Sequence, residues 1–517
     1  MLDRAIAEVG SDRIAVRVHP DVARGLAKGF LASEARQRGV TLIPEEIDPI
    51  SLLECVEEVW TVSSQLGLEA AMRGVPVTTF GMPFYGGWGL TRDLAEGVVA
   101  DAARSRRTRR RDLTAVFSAA YVHYTRYADP VTRRRIDIHG AIDRLLDWRL
   151  RDEPLRGRTV HCFGFSSWKQ RATRRFLGGF SGTVNFHRRW RIPRSAKPAD
   201  SICVWGMRGP RAFEEQCRAA GFAFDRVEDG FVRSPGLGSR LIEPGSVVVD
   251  SLAMHFDAAR PSALEELIAS LEPDAQLLRR AGSLRERLIA DQITKYNLAS
   301  EPPDLRKLAR GRRIVLVPGQ VPDDASVVLG ARGIADNLSL VRAVRERHPE
   351  ACLVYKQHPD LVARTRRKDR QTEQIAAYAD CVLQDSSMAA LLAMVDEVHV
   401  LASLTGFEAL VRGIPVTCWG LPFYAGWGLT TDMQPCERRR RKVDLETLIA
   451  AALIVYPRYI EPVSGVPCSI EDYLEALIEL RRTTTQFHLS ASPHSFGQRL
   501  RARMRRLARS LAPRPVL

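Results

Sequence analysis

The stretch SLTGFEALVRGIPVTCWGLPFYAGWGLTTD, residues 403–432, decides the fold. A β-rich run ends at Ser403, the segment GFEALVRG has the pattern of a helix, and IPVTCWG has the pattern of a buried strand. Such alternation of helix and strand predicts an α/β domain with a parallel sheet. A near copy, SQLGLEAAMRGVPVTTFGMPFYGGWGLTRD, occupies residues 64–93. The chain therefore carries this helix–strand stretch twice.

The two copies indicate a duplicated module, because their offset of 339 residues is far longer than a solenoid repeat. The same offset joins the HPD motifs at residues 19–21 and 358–360, whereas YTRYADP and YPRYIEP further along are 332 residues apart. The first HPD motif stands almost at the start of the chain. We therefore expect the first module to be an incomplete remnant, through a late start codon or a truncated gene.

The bulk composition is typical of a soluble globular protein, with 45% hydrophobic and 26% charged residues in a chain of 517. No apolar run reaches the ~18 residues of a transmembrane helix, and the first residues lack the pattern of a signal peptide. The nine cysteines are scattered without a CxxC pair. Neither a zinc site nor a disulfide framework is expected, which favours a reducing cytoplasm.

The formal net charge of +15 predicts an anionic partner: nucleic acid, a membrane surface or a negatively charged substrate. Much of the excess lies in arginine-rich runs at residues 104–111 and 501–509, for which a solvated face is the alternative. No RNA-module or helix-turn-helix signature accompanies the charge. Nucleic acid is therefore not the expected partner.

The C-terminal tail, residues 486–517, combines arginines with an apolar stripe formed by Leu500, Met504, Leu507 and Leu511. A basic amphipathic helix of this kind is suited to lie on an anionic membrane surface. Docking onto the protein's own cleft is the alternative.

In the part of the chain that lies between the remnant, residues 1–130, and the tail, strand patterns alternate with helix patterns. They divide into two doubly wound α/β domains, at residues 157–305 and 306–485. Two such domains in tandem predict a cleft between them. Doubly wound sheets bind ligands at the carboxyl ends of their strands, so the candidate site residues are the polar side chains that follow predicted strands.

Cationic and hydroxyl side chains follow two predicted strands of the second domain. The motif YKQHPD places Lys356 and His358 after one strand, and Ser403 and Thr405 lie at a predicted helix start after another. Lysine and histidine donate hydrogen bonds to phosphate, and a helix start attracts anions. These motifs predict a nucleotide phosphate clamp, with an ordinary helix cap and a core histidine as the alternatives.

Two adjacent carboxylates, Glu228 and Asp229, end a predicted strand of the first domain, within VEDGFVRSPGLGSRL. The glycines of this motif allow the loop to wrap a ligand, and Arg233 could hold an anionic group. A carboxylate that faces a cleft can act as nucleophile or base at the anomeric carbon of a sugar. A loop with surface acids is the alternative.

Two further loops leave their interpretation open. Tyr424 and Trp427 lie among glycines in FYAGWGLT, where a sugar or base platform and core packing are both plausible. The loop VPGQVPDDAS carries Gln320, Asp323 and Asp324 and is expected to face the cleft. The two aspartates could bind a metal, but no metal site is expected because the clamp already supplies positive charge.

Five motifs in order resemble capsule polysaccharide biosynthesis proteins of the KpsC type: CFGFSSWKQ, VEDGFVRSPGLGS, VPGQVPDDAS, YKQHPDL and the repeated stretch at 403–432. The resemblance implies a tandem retaining β-Kdo glycosyltransferase. Its α/β fold would be GT-B-like, with two Rossmann-like, doubly wound domains in one complete module after a remnant half-module. Such enzymes use CMP-Kdo to extend a poly-Kdo linker on a (lyso)phosphatidylglycerol acceptor. No cofactor is implied beyond this donor substrate.

The resemblance also implies roles for particular residues. Asp229 would be the nucleophile, with Glu228 as the second choice. Nine residues would bind the nucleotide sugar: Lys356, His358, Ser403 and Thr405 at the CMP phosphate, Arg233 or Lys169 at the sugar carboxylate, and Gly406, Glu408 and Gln320 elsewhere around it.

Two departures from the family pattern are visible. Gln357 stands where the family more often shows proline, and residues 1–130 lack an EDGF loop, so the remnant is expected to be catalytically silent. The resemblance implies a cytoplasmic protein, peripheral on the inner membrane. Its partners would be CMP-Kdo, a lipid-linked Kdo acceptor and capsule biosynthesis or export proteins, with a 2,7-type linkage expected for the complete module. A catalytically impaired scaffold in capsule assembly and export is the alternative.

Overall fold

The computed structural model describes residues 1–488 except residues 30, 44–46, 153–156, 180–181, 235–242, 296–300, 332, 335, 359–360, 362–369 and 385. The amphipathic helix predicted for the tail therefore lies outside the described residues. The chain divides into two compact units, Met1–Asp129 with Arg133–Ile142, and Pro130–Thr132 with Asp143–Leu517. Within the described part, no helix combines the length and the apolarity needed to cross a bilayer.

The first unit is built from short parallel strands and helices. β1 (Ala15–Arg17) pairs with β2 (Thr41–Ile43), and β3 (Val59–Thr61), β4 (Val77–Thr79) and β5 (Arg92–Asp93) form a second parallel sheet. β6 (Tyr127–Ala128) and β7 (Arg135–Ile136) are antiparallel. The helices are Leu2–Val9, Ser11–Arg13 (3-10), Pro20–Ala23, Leu31–Gln37, Pro49–Leu53, Leu66–Met72, Val98–Arg106, Leu113–Phe117 and the π-helix Ser118–Tyr124.

The second unit holds two larger sheets. Its strands are β8 (Thr159–Phe163), β9 (Thr183–His187), β10 (Ser201–Trp205), β11 (Ala223–Asp229), β12 (Ser246–Asp250), β13 (Ile314–Pro318), β14 (Cys352–Lys356), β15 (Cys381–Leu383), β16 (Glu397–Val400), β17 (Val416–Cys418), β18 (Thr431–Asp432), β19 (Pro457–Ile460) and β20 (Pro467–Cys468). We call the part built on the seven-stranded sheet, order β20-β19-β12-β11-β10-β8-β9, the N-lobe, and the part built on the six-stranded sheet, order β15-β14-β13-β16-β17-β18, the C-lobe.

The C-lobe sheet is parallel throughout. Its strand order is that of a dinucleotide-binding doubly wound sheet, which places a crevice at the carboxyl ends of its central strands. Its helices are Leu305–Ala309, Ala325–Gly330, Asn337–Arg347, Arg370–Ile375, Met388–Leu392, Leu404–Val411, Leu445–Ile449, the π-helix Ala450–Val455 and Ile470–His488. The predicted α/β class with Rossmann-like sheets is confirmed.

The N-lobe sheet is only half parallel. β9, β8, β10 and β11 run parallel, whereas β12, β19 and β20 each pair antiparallel with their neighbours. The N-lobe helices are Ile138–Asp152, Ser167–Gly178, Arg211–Ala219, Ala263–Ser270 and Ala275–Ala290. β19 and β20 depart from the expected division, because they follow the C-lobe in sequence but complete the sheet of the N-lobe. Strand partners so distant along the chain are invisible to local periodicity.

The two lobes share one hydrophobic core, which includes Val248 from one sheet and Leu316 from the other. At their junction Phe231 stacks on Phe423, with ring centroids 4.7 Å apart. Nearby, the Glu265 carboxylate accepts hydrogen bonds from two arginines of the C-lobe, Arg438 at 2.8 Å and Arg439 at 2.9 Å. These contacts fix the carboxyl ends of the two sheets toward each other.

Candidate functional site

A cavity of about 410 Å³ lies between the lobes, where β11, β13, β14 and β16 end. Its wall includes most of the site residues predicted from the sequence: Glu228, Asp229, Gln320, Lys356, His358, Ser403, Thr405 and Glu408. Arg233, Lys169 and Gly406 are not part of this wall. The predicted cleft thus gathers side chains that are far apart along the chain.

The two carboxylates at the end of β11 have different electrostatic environments. Burial raises the pKa of Glu228 to about 7, and the neighbouring charge of Asp229 adds to the rise. Burial alone would also raise the pKa of Asp229, but Arg233 and Lys169 outweigh it and hold that pKa below its ordinary value. Near neutral pH, Asp229 is therefore ionised while Glu228 exchanges its proton readily. Such a split separates a nucleophile from an acid–base group.

The two cations outside the cavity lining, Arg233 and Lys169, both contact Asp229. Arg233 is fully buried, and its Nε donates to Oδ2 of Asp229 at 2.7 Å. The Nζ atom of Lys169 lies 3.7 Å from Oδ1 of Asp229 and 3.3 Å from the ring centroid of Trp205. This placement differs from the predicted contact with a sugar carboxylate, since the two cations hold the orientation and charge of Asp229 instead.

The Oδ1 atom of Asp229 is buried and accepts no hydrogen bond from the described residues. A carboxylate oxygen without such a bond keeps its lone pairs for a reaction partner. Arg233 therefore holds Oδ2 of Asp229 through a hydrogen bond, whereas Oδ1 faces Lys169 at ion-pair distance without one.

The C-lobe wall carries the four residues of the predicted clamp. Lys356 ends β14 with only 3% of its surface exposed, and His358 follows it on the cavity wall. Ser403 caps the helix Leu404–Val411, and its Oγ accepts the backbone N–H of Thr405 at 3.2 Å. The capping alternative thus holds for this N–H group, and Lys356 and His358 are the side chains on this wall that could donate to a phosphate.

Gly406 and Glu408 have structural partners in the same helix. A Cβ atom at Gly406 would lie 2.2 Å from the hydroxyl oxygen of Tyr424, so only glycine fits there. Glu408 is buried, and its Oε1 accepts the backbone N–H of Lys295 at 2.7 Å. Burial raises the pKa of Glu408. Glu408 thereby ties the segment that carries Lys295 to the C-lobe.

Gln320 joins two strand ends at the base of the cavity. Its Oε1 accepts the backbone N–H of Ala402 at 3.0 Å, and its own backbone exchanges hydrogen bonds of 2.9 and 2.8 Å with the Asn337 side chain. Asn337 was not predicted. Its position at the start of a helix far from the motif gave no sign of this contact.

The two loops with open interpretations resolve differently. Trp427 is fully buried away from the cavity, so core packing holds for it. Tyr424 is also fully buried, but it borders the cavity. The Nε1 of Trp427 donates to the carbonyl of Phe423 at 2.8 Å. Asp324 occupies the N-cap position of the helix Ala325–Gly330, and its carboxylate accepts a hydrogen bond from the Ser326 hydroxyl.

Two titratable residues of the cavity wall, His255 and Lys295, were not predicted from the sequence. The Nδ1 atom of His255 is buried and makes no hydrogen bond with the described residues. Burial and repulsion from Lys295 lower the pKa of His255 to about 3, so its imidazole is neutral. The sequence AQLLRRAGSLRERLIADQITKY, residues 275–296, predicts one long helix that includes Lys295. The structure ends that helix at Ala290. An isolated histidine after a strand carried no signal of its own.

Away from the cavity, the described residues contain one group with the spacing of metal ligands: His348, Glu397 and His399. The indole N–H of Trp419 donates to Nδ1 of His399 at 3.1 Å, and an indole nitrogen can only donate. His399 therefore carries its proton on Nε2, which donates to Oε1 of Glu397 at 3.0 Å. The group is a hydrogen-bonded network in which a metal would have to displace that proton.

A model of the capsule polysaccharide biosynthesis protein family matches residues 1–127 and 283–459, more than half of the chain. The chain belongs to this family. Both copies of the repeated stretch lie inside the matched segments. The resemblance inferred from the motifs is confirmed.

Relatives agree with this assignment. The capsule polysaccharide modification protein LipA of Neisseria meningitidis serogroup B is 39% identical over 480 residues, which cover 92% of this chain and 68% of LipA. The β-Kdo 2,4 transferase of Thermosulfurimonas dismutans KpsC is 31% identical, covers 61% of this chain and 97% of its own, and has a TM-score of 0.50. The β-Kdo 2,7 transferase of the same KpsC is 34% identical, and the match covers 63% of this chain and 100% of that transferase, with a TM-score of 0.49. This capsule-family member thus has a Kdo transferase among its structural relatives.

Proposed function

We propose that the second unit is a retaining β-Kdo transferase, which uses CMP-Kdo to extend a poly-Kdo linker on a (lyso)phosphatidylglycerol acceptor. The observation that carries the proposal is the pairing, in one cavity, of the ionised Asp229 from the N-lobe with Lys356 and His358 from the C-lobe. The chain's membership of the capsule family and its likeness to a β-Kdo 2,4 transferase support the choice of sugar.

In the first step Asp229 attacks the anomeric carbon of the donor sugar. A bond forms between a carboxylate oxygen of Asp229 and that carbon, while the bond to the phosphate oxygen breaks and CMP leaves as a phosphate monoester. Lys356 and His358 stabilise the charge that collects on the departing phosphate. Lys356 is buried, and its charge therefore acts at low local dielectric.

In the second step the acceptor hydroxyl attacks the same carbon and releases Asp229. Glu228 takes the proton of that hydroxyl, because a pKa of about 7 suits a base that works near neutral pH. Two displacements at one carbon retain the anomeric configuration.

The residues that the sequence analysis missed complete the sugar site. Lys295 supplies a cation on the cavity wall for the carboxylate of the donor sugar. His255, neutral and with an open Nδ1, exchanges a hydrogen bond with a sugar hydroxyl. Lys295 thus takes the role that was predicted for Arg233 or Lys169.

The test is turnover of CMP-Kdo with a Kdo-terminated lipid mimic as acceptor. Asp229→Asn should lower kcat by about 10³-fold or more, since it removes the covalent route. The control is Glu350→Gln, an exposed carboxylate outside the cavity, which should leave kcat unchanged. Mass spectrometry of the quenched wild-type reaction should find Kdo attached to the peptide that contains Asp229. An inverted product, or full activity of Asp229→Asn, would contradict the mechanism.

The linkage and the location are part of the same proposal. Nuclear magnetic resonance of the product distinguishes the expected 2,7 linkage from a 2,4 linkage. Fractionation of cells should recover the protein with the inner membrane and release it with high salt, as expected for a peripheral cytoplasmic protein.

A scaffold in capsule assembly is the second candidate, because residues 1–130 repeat half of the module without an EDGF loop. If the purified protein binds CMP but transfers no Kdo to any acceptor, the scaffold is favoured. Capture of capsule export proteins by the Asp229→Asn variant as well as by the wild type would support it further.

A further inference from the structure

A strongly basic loop, RRWRIPR at residues 188–194, follows the edge strand β9 of the N-lobe. Its four arginines are exposed: Arg188, Arg189, Arg191 and Arg194. None of them forms an ion pair with any residue in the described part of the chain. Four such guanidinium groups within a short loop make a surface that attracts anions.

Trp190 holds this basic loop against the carboxyl ends of two neighbouring strands. Its ring stacks on Phe163 at 5.9 Å and meets the edge of Phe213 at 5.6 Å. A Cβ atom at Gly209 would lie 2.6 Å from the Trp190 ring, so the loop after β10 makes room for it. The basic loop is therefore a packed element of the sheet edge.

A row of cations leads from the basic loop to Asp229. β9, β8, β10 and β11 are adjacent and parallel, so their carboxyl ends form one edge. Arg208, after β10, donates to the carbonyl of Gly164, after β8, at 2.7 Å. Lys169 then lies 3.7 Å from Asp229. Neighbouring strands are ~4.8 Å apart, so the row extends ~15 Å from the nucleophile.

We propose that this row, formed by Arg188, Arg189, Arg191 and Arg208, binds the acidic sugars of the acceptor chain behind its reactive end. The inference rests on the proposed function, because each Kdo of a poly-Kdo acceptor carries a carboxylate. The guanidinium group of arginine can bind a carboxylate through two parallel hydrogen bonds. The row is long enough for more than one sugar, so it would favour acceptors that already carry several Kdo residues.

An anionic bilayer is the competing occupant of a basic surface. Peripheral membrane surfaces gain affinity by inserting apolar side chains beside their cations. Between Leu150 and Leu252, the described residues expose no large hydrophobic side chain. The surface is thus polar and cationic, and its strand ends adjoin the strand that carries Asp229, which favours an acidic glycan.

The test is the triple variant Arg188→Gln, Arg189→Gln and Arg191→Gln, assayed with acceptors of one and three Kdo residues. We expect the KM for the three-Kdo acceptor to rise about tenfold or more, because charge-assisted hydrogen bonds to carboxylates are lost. The KM values for CMP-Kdo and for the one-Kdo acceptor should stay within about twofold, since these ligands do not reach the loop. The difference between the wild type and the triple variant in KM for the three-Kdo acceptor should become smaller at high salt, because salt screens the exposed charges.

The matched control replaces three exposed arginines of the first unit, Arg106, Arg109 and Arg111, by glutamine. It removes the same charge without touching the row, and it should leave both KM values unchanged. A second readout, free of turnover, is fluorescence anisotropy of a labelled Kdo trisaccharide without CMP-Kdo. The trisaccharide should bind the wild type and the control but not the triple variant.

Three outcomes would overturn the inference. One is unchanged trisaccharide binding by the triple variant together with lost binding to phosphatidylglycerol vesicles, which assigns the surface to the membrane. Another is an equal rise of KM for both acceptors, which removes the chain-length effect. The third is a triple variant whose KM values and trisaccharide binding equal those of an active wild type. Failure of the proposed function is distinct, since the wild type would then transfer no Kdo at all.

Discussion

The two copies of the repeated stretch share their internal hydrogen bonds. In the first, the Tyr85 hydroxyl donates to the carbonyl of Ser64, and in the second the Tyr424 hydroxyl donates to the carbonyl of Ser403. The tryptophan that follows each tyrosine donates from Nε1 to a backbone carbonyl at 2.8 Å in both copies. The stretch is therefore a local folding unit whose contacts are contained in its own sequence.

The surroundings of the two copies differ. Phe423 is 4% exposed and stacks on Phe231 of the N-lobe, whereas the corresponding Phe84 is 49% exposed. Arg107 and Arg439 donate to equivalent backbone carbonyls, but Arg439 also pairs with Glu265 of the N-lobe. The comparison teaches that the repeat supplies a packed platform, and that the N-lobe turns one of the two platforms into one side of a cavity.

The largest expected difference concerns these two phenylalanines. Phe423→Ala should lower the free energy of unfolding of the second unit by about 3–5 kcal/mol, because it empties a buried aromatic site at the lobe junction. Phe84→Ala should cost the first unit less than about 1 kcal/mol, since half of the ring is already in water. Thermal unfolding of the full chain, with hydrogen exchange to assign each transition, checks both values. Equal losses would break the comparison.

The two histidines of the HPD motifs give the next contrast. His358 lines the cavity, whereas the His19 side chain is 68% exposed and its Nδ1 accepts the backbone N–H of Asp21 at 3.2 Å. His358→Ala should reduce kcat about 100-fold through weaker stabilisation of the leaving phosphate, while His19→Ala should leave it unchanged. Steady-state kinetics with CMP-Kdo measures the kcat of both variants. A loss of activity in His19→Ala would mean that the first unit takes part in catalysis.

The smallest effect is a pH dependence that only the second unit can show. Since burial raises the pKa of Glu228 to about 7, the group is protonated below that pH and can act as a base only above it. The kcat/KM for the acceptor should therefore fall about tenfold per pH unit below pH 7, because Glu228 acts in the step in which the acceptor attacks. Glu228→Gln should remove this limb together with most of the activity. A wild-type profile that stays flat down to pH 5 would exclude Glu228 as the base.

Much of the fold and of the cavity could be predicted from the sequence, for a physical reason. Strands, helix starts and glycine-rich turns depend on short-range patterns, so the ends of β11, β13, β14 and β16 could be located without a structure. Ligands gather at the carboxyl ends of such strands. Glu228, Asp229, Lys356 and His358 could therefore be placed in one cleft.

What the pattern could not reveal depends on contacts between distant segments. The helix before Lys295 ends five residues earlier than its periodicity indicates, and this brings Lys295 into the wall beside Glu408. β19 joins the sheet of the N-lobe through β12 rather than through any neighbour in sequence. In both cases tertiary packing overrides local preference.

The sequence by itself determined the α/β class, the duplication and the set of strand ends that meet, because these follow from local periodicity and turn chemistry. Only the tertiary structure decided which charges meet there. It directed Arg233 and Lys169 at Asp229, gave Glu228 and Asp229 opposite pKa shifts, and left His255 neutral. Those outcomes depend on distance and burial, which set the strength of each charge interaction and which no single stretch of sequence contains.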